Sequence, residues 1–264
     1  MRPIQRLFEH EGLPAFGLPP ALIARYGGDF GLTRPGVYAN FVSSADGVVA
    51  LANARGESGG VISGGSDADR FVMALLRACA DAVVIGAGTF RKGIGDLWHP
   101  ESAYPAAGGQ FADLRRQLKL RPQPLLVVVT ASGWIDPAQP ALLDSLIVTT
   151  PGGQARLKGK LPHGARVAVL DSLPISGRSL VDLLNTEKLQ VLLAEGGPSL
   201  VGQLFQEGLV DELFLTTSPR LFGRRPNDGR KSLIEGVDLT GQPLELLSVR
   251  RDESHLFMRY AVRR

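Results

Sequence analysis

Residues 125–129, Leu-Leu-Val-Val-Val, form an apolar run with no polar alternation, and this stretch constrains the fold most. A strand with one wet face alternates, whereas a strand that is apolar at every position is covered on both faces, the mark of a parallel sheet flanked by helices. Two further runs of the same kind, Ala82-Val83-Val84-Ile85 and Val191-Leu192-Leu193-Ala194, are separated from it by helical patterns. Shorter strands are expected at 37–42, 146–149, 167–170 and 212–217, with 48–51 resuming an extended pattern after 37–42. The runs 244–250 and 255–262 fit a C-terminal antiparallel strand pair. Ser66 caps an amphipathic helix carrying Phe71, Val72, Leu75, Leu76 and Cys79, because a serine oxygen can accept from the free first-turn N–H groups. Further helices are expected over 111–118, over 179–185 and from Pro198 through Leu204 and Phe205. The predicted fold class is therefore α/β, a central, mostly parallel mixed sheet with flanking helices and an antiparallel end.

No internal repeat and no linker divides the chain. Residues 1–35 read as an N-terminal extension with one short helix, held against a larger body by Phe8, Phe16, Tyr26 and Phe30, and residues 36–264 as a single domain. A glycine-rich loop over 56–65 is expected to be mobile.

Composition excludes several classes of function. At 44% hydrophobic and 21% charged, the 264 residues describe an ordinary soluble protein. A net charge of +3 and a pI near 9.2 suit an anionic small molecule and do not call for nucleic acid. The single cysteine, Cys79, rules out an intramolecular disulfide and a zinc site built on several cysteines, and its apolar helical setting marks it as a buried, inert thiol. With no apolar signal core near the N-terminus and no run of membrane-spanning length, the expected address is cytoplasmic.

Four predicted strand ends share one chemistry, small residues and hydroxyls: Ser44-Ala45-Asp46-Gly47, Gly86-Ala87-Gly88-Thr89, Thr130-Ala131-Ser132-Gly133 and Glu195-Gly196-Gly197-Pro198-Ser199. Ligands of open parallel sheets bind beyond the carboxyl ends of the strands. Glycine lets a ligand approach the backbone, and a helix start such as that at Pro198 offers free N–H groups to anionic oxygens. Taken singly, each corner also reads as an ordinary turn; four on one sheet edge make a groove long enough for an extended polyphosphate cofactor. The Gly86-x-Gly88 pair is not the Rossmann fingerprint, since Arg91 stands where its third small residue belongs.

With these corners in view, the chain resembles the riboflavin-pathway pyrimidine reductases, which are similar to the C-terminal domain of the bifunctional deaminase–reductase and share the dihydrofolate reductase fold. The resemblance rests on Ser44-Ala45-Asp46-Gly47, on residues 81–89, on residues 192–200 and on Gly208-Leu209-Val210-Asp211-Glu212-Leu213, and it covers about residues 36–262. It implies an NADPH-dependent, homodimeric reductase that converts a ribosylamino-pyrimidine phosphate, such as 5-amino-6-(5-phosphoribosylamino)uracil, into its ribityl form. Carried over residue by residue, Gly86, Gly88 and Thr89 match the pyrophosphate corner. Thr130 and Ser132 fall where the adenosine ribose and its 2′-phosphate are held. Gly47, Glu195, Gly196, Gly197, Ser199 and Leu200 join them as cofactor-binding residues. Asp46 corresponds to the acidic, catalytic residue at the substrate end, with Asn40 and Ser44 beside it. No metal is implied.

The chain departs from that pattern at Ala45, where the family has leucine, and at 90–98, where an acidic-Asn/Asp-Pro segment and a basic residue usually grip the substrate. The deaminase half is absent, because one cysteine cannot supply its zinc ligands. Two other readings keep the cofactor: a dihydrofolate or pterin reductase, and an NADP-binding protein without turnover. A nucleic-acid binder fits least, since the C-terminal arginines are interspersed with acids.

Overall fold

The three unbroken apolar runs lie in neighbouring strands of one sheet. The computed structural model describes residues 2–52 and 58–263. Its first half runs β1 (Gln5–Glu9), α1 (Pro20–Tyr26), β2 (Gly36–Ser44), α2 (Ser58–Ser63), α3 (Asp67–Cys79), β3 (Ala82–Gly86) and α4 (Ala87–Lys92). Then come α5 (Pro100–Ala103), α6 (Gly108–Gln117), β4 (Leu125–Thr130), β5 (Ser145–Thr149), α7 (Pro151–Leu157) and β6 (Arg166–Val169). The last part holds α8 (Gly177–Thr186), β7 (Val191–Ala194), α9 (Pro198–Gln206), β8 (Glu212–Ser218), β9 (Leu244–Asp252) and β10 (His255–Val262).

The sheet order is β1-β9-β10-β8-β2-β7-β3-β4-β5-β6. Strands β8 to β6 run parallel, and β10, β9 and β1 close the other end antiparallel. The central strands are sandwiched, which is why they need no polar alternation: on β3 and β4, Val83, Ile85, Leu126 and Val128 pack on one face with Phe71 and Leu75 of α3. Ala82, Val84, Leu125 and Val127 pack on the other with Leu180 and Leu184 of α8. No described helix is long and apolar enough to cross a membrane.

Three local expectations are corrected. Residues 48–51 form no strand; only an isolated bridge joins Ala50 to Lys231. The glycine-rich segment carries α2 over 58–63, with Ile62 fully buried, while 53–57 lie outside the described residues. The N-terminal extension holds, besides its one short helix, a strand that the sequence did not suggest: β1 pairs with β9, while Ile4, Leu22, Tyr26 and Phe30 enter the same core as α3.

The end of α3 is fixed by a single side chain from α6. Arg115 is buried, and its Nη1 donates to the carbonyls of Arg77, Ala78 and Ala80 at 3.1, 3.1 and 2.8 Å, while Nε donates to Arg121 O at 2.8 Å. The last carbonyls of a helix have no intrahelical partner and carry the negative end of its dipole, so a buried cation there satisfies both. Arg115→Ala is expected to lower the unfolding free energy by about 2–4 kcal/mol, because it strands several buried carbonyls at once. Urea denaturation followed by circular dichroism measures this, and an unchanged midpoint would refute the role.

Candidate active site

The four hydroxyl- and glycine-bearing corners follow β2, β7, β3 and β4, which are consecutive neighbours in the sheet and all parallel, so their carboxyl ends share one edge. Two backbone bonds lock the central corner: Glu195 N donates to Val84 O at 3.1 Å and Gly86 N to Gly196 O at 2.8 Å. Gly196 has φ +128°, and a Cβ there would stand 2.9 Å from Thr89 Oγ1, so this position needs glycine on two counts. Gly197 has φ −85° and serves as the N-cap of α9, with Pro198 opening the helix.

Beside this corner lies a cavity of about 690 Å³ whose lining includes Asn40, Gly88, Thr89, Glu195, Gly196 and Gly197. A Cβ on Gly88 would meet nothing within 4 Å, so the backbone there is open to a ligand. Of the residues expected to bind, these six are brought together, while the others sit elsewhere for identifiable reasons. Ser44 is buried, and its Oγ accepts from Val48 N and donates to Asp46. Asp46 does not line the cavity; its carboxylate accepts from the N–H groups of Phe222 and Gly223 and so pins that segment to the turn, where Gly47 takes φ +82°. The Ser44 hydroxyl, with those two N–H groups, holds the Asp46 carboxyl below the usual range. Thr130 is buried with its Oγ1 accepting from Gly133 N, and Leu200 packs into the core against the α8 face. Gly86 packs against Gly196 and Gly197 and is not part of the cavity lining, and Ser132 and Ser199 are exposed outside the cavity.

The charged part of the cavity was not legible as such. Arg77 of α3, 1% exposed, donates from Nε to Glu195 Oε2 at 2.9 Å, with its Nη2 ion-paired to the same oxygen at 2.8 Å and to Asp96 at 3.2 Å. Burial raises the Glu195 carboxyl against the pull of Arg77. The Asn40 amide lies against Glu195 without the geometry of a full hydrogen bond, leaving Oε1 buried and unsatisfied at the cavity. Lys92 and Lys231 also line the cavity; Lys92 Nζ donates to Leu51 O at 2.6 Å, and burial, with Lys231 nearby, lowers its pKa.

Asp69, in the first turn of α3, is the third carboxyl of the cavity, beside Glu195 and Asp96. Burial pushes it up to about 6, opposed by the hydroxyl of Thr216 on β8 and by the charge of His255. In sequence it passes for a helix-capping acid, and its N–H does bond to Ser66 Oγ at 3.2 Å. Its neighbour Asp67 is the solvent-side acid, paired with Arg25. Only the sheet packed beneath α3 separates these two roles.

An acid raised in the fold holds a proton that the unfolded chain has lost, so its contribution to stability falls as pH rises from about 4 to about 6 and stays low above. Asp69→Asn is therefore expected to be more stable than the parent near neutral pH, by at most about 3 kcal/mol, with the difference vanishing below about pH 4. Urea titrations across this range test it; a variant less stable at neutral pH would show that the ionised carboxyl is held favourably.

A curated relative from Archaeoglobus fulgidus, named 2,5-diamino-6-ribosylamino-4(3H)-pyrimidinone 5′-phosphate reductase, is 24% identical over 220 residues, covering 79% of this chain and 95% of its own. A pyrimidine reductase-like protein of Corynebacterium diphtheriae superposes with a TM-score of 0.69 at 24% identity, over 94% of this chain and 96% of its own. The Saccharomyces cerevisiae riboflavin biosynthesis reductase gives 0.56 at 14% identity, over 92% and 99%. These structures share the fold. The family described as RibD C-terminal domain matches residues 35–257, and the chain belongs to that family.

Proposed function

We propose that the chain is an NADPH-dependent reductase of a ribosylamino-pyrimidine 5′-phosphate, in riboflavin biosynthesis. The observation that carries this reading is the cavity itself: a glycine corner with exposed backbone, the three carboxyl groups of Asp69, Asp96 and Glu195, and two lysines around one space. The A. fulgidus relative's name supplies the substrate class, and the lining residues suit it. Bound nicotinamide would supply a hydride to the ribosyl carbon. The chain's own residues bind and orient. Gly88, Gly196 and Gly197 admit the cofactor to the backbone, and Thr89 offers a hydroxyl beside them.

Lys92 and Lys231 form no ion pair among the described residues, so both remain available for a phosphate dianion. With its carboxyl at about 6, Asp69 is mostly ionised near neutral pH and accepts hydrogen bonds. A 2-amino-4-oxo-pyrimidine presents two N–H donors to such a group; a uracil presents a carbonyl oxygen at the same edge and is repelled. Asp69 therefore favours the 2-amino substrate over the uracil. Asp46 enters as a positioning residue for the 220–223 segment, outside direct contact with the reacting atoms.

A homodimer is part of the same proposal. Leu215, Met258, Val249 and Phe8 stand in register across β8, β10, β9 and β1, and Phe8 is 44% exposed. Apolar side chains aligned on a sheet face suit a second copy of the chain. Light scattering on eluted protein should give twice the chain mass, and Val249→Arg should halve it; a monomeric parent would remove this claim.

Activity is tested by following NADPH absorbance with the 2-amino-pyrimidinone phosphate, its uracil counterpart and dihydrofolate. Turnover is expected with the first, and Asp69→Asn should lower kcat/KM about tenfold or more by loss of a charged acceptor. Consumption of dihydrofolate alone would assign the cavity to a pterin. No turnover with any of the three would sink the reductase reading.

A further inference from the structure

The wall that α2 gives the cavity is held by a residue from the far end of the chain. Ser58, Gly59, Gly60 and Ser63 of this six-residue helix line the space. A helix this short, with two glycines, has little stability of its own and keeps its shape through tertiary contacts. Ile62 is fully buried, and at the helix start Ser58 Oγ accepts from Leu51 N at 3.0 Å. At its end, Ser63 O accepts from His255 Nε2 at 2.9 Å.

His255 opens β10 and pairs with Asp252 across the hairpin. Two residues on, Phe257 lies on the same face of the sheet, joins the core that α3 packs into, and stands opposite Thr216 of β8. The imidazole is thereby brought to the junction of α2 and α3. It does not itself line the cavity.

Ser63 links the ring to the Asp69 carboxyl. Its carbonyl holds His255, and its hydroxyl, like that of Thr216, lies against Asp69 and opposes the effect of burial. Two charged groups face that carboxyl from other elements: His255 from β10 favours ionisation, and Glu195 from the corner after β7 disfavours it. The residues of α2 carry no charge, and on α3 the neighbouring Asp67 and Arg70 pair with each other at 3.5 Å. Asp252 and Glu253 are the acids of the ring's own hairpin. Imidazole changes its charge between pH 5 and 8, so the field at Asp69 depends on the proton that the ring gains or loses there.

We propose that His255 is a positioning residue for Asp69: anchored on Ser63 O, its protonated ring favours the ionised carboxylate, the form that accepts the N–H donors of a 2-amino-pyrimidine. The assignment rests on the reading of Asp69 as the acceptor for the substrate. As pH falls, the ring gains charge and opposes protonation of the carboxylate, so the pair extends the working range of the cavity toward acid.

Carboxyl carbon NMR of isotope-labelled aspartate, with Asp69→Asn to identify the resonance, follows the ionisation of Asp69 whether or not the enzyme turns over. The parent midpoint is expected at about 6. His255→Gln keeps a side-chain N–H for Ser63 O and loses the charge; its midpoint should rise by about half a pH unit or more. His255→Arg, charged throughout, should lie at or below the parent. With the 2-amino-pyrimidinone phosphate, kcat/KM of His255→Gln should be about threefold below the parent at about pH 5.5 and within about twofold of it at about pH 8. Midpoints that stay unchanged, or that move the same way in both variants, make His255 a brace of α2 and overturn the proposal. A shifted midpoint with no matching change in kcat/KM overturns it at the other end. Parental activity in Asp69→Asn, or no turnover in the parent, then places the failure in the reading of the cavity rather than in the His255–Asp69 pair.

Discussion

The buried guanidinium of Arg77 is the interaction on which the candidate site depends. It joins three elements distant in sequence: α3, the Glu195 corner after β7, and the loop holding Asp96. Burying these charges costs desolvation that only a well-formed network offsets, and removal of one partner leaves the others uncompensated. Arg77 therefore fixes which way Glu195 faces. One carboxylate oxygen is committed to the arginine, and the other is left buried beside the cavity. The glycine corner next to it has little freedom of its own, being tied to β3 through Gly86 and Val84.

Around that network, the molecule separates its polar surfaces by function. Titratable groups of the cavity come from α3, α4, the loop holding Asp96, the corner after β7 and the segment at Lys231, so no single element holds them. On the antiparallel side, buried arginines serve structure: Arg259 pairs with Glu212, donates to Gly31 O and stacks near Phe30 and Phe214. Arg250 pairs with Glu9 and lies 3.9 Å from the Tyr26 ring centroid. These contacts fasten the first 31 residues to the sheet with charge as well as apolar area. Residues 1–35 hold short apolar pieces without periodicity because their partners are strands from the far end of the chain.

Where the structure places an expected site residue outside the cavity lining, the cause is its tertiary partners rather than its motif. The Ser44-Ala45-Asp46-Gly47 turn looks like a ligand-facing acid, yet the returning segment at 222–223 offers two N–H groups that claim the carboxylate. Thr130 ends a strand as expected, but its hydroxyl is turned inward by the tight Gly133 turn. Asp69 shows the reverse case. A capping acid and a cavity acid look the same in one dimension, and it is Thr216, 147 positions away by number, that marks the difference.

The sequence by itself determined the elements and the edge. Unbroken apolar runs can be stable only between two layers, so 82–85, 125–129 and 191–194 had to be central strands, and the corners after them had to meet along one side. Glycine at 196 likewise follows from local geometry, a φ of +128° beside Thr89, whereas nothing crowds a Cβ at 88. Tertiary structure alone decided which charges line the cavity. A side chain's direction on a short turn, and the cost of ionising it, depend on what is packed against it, and for Asp46, Asp69 and Glu195 those neighbours arrive from other parts of the chain.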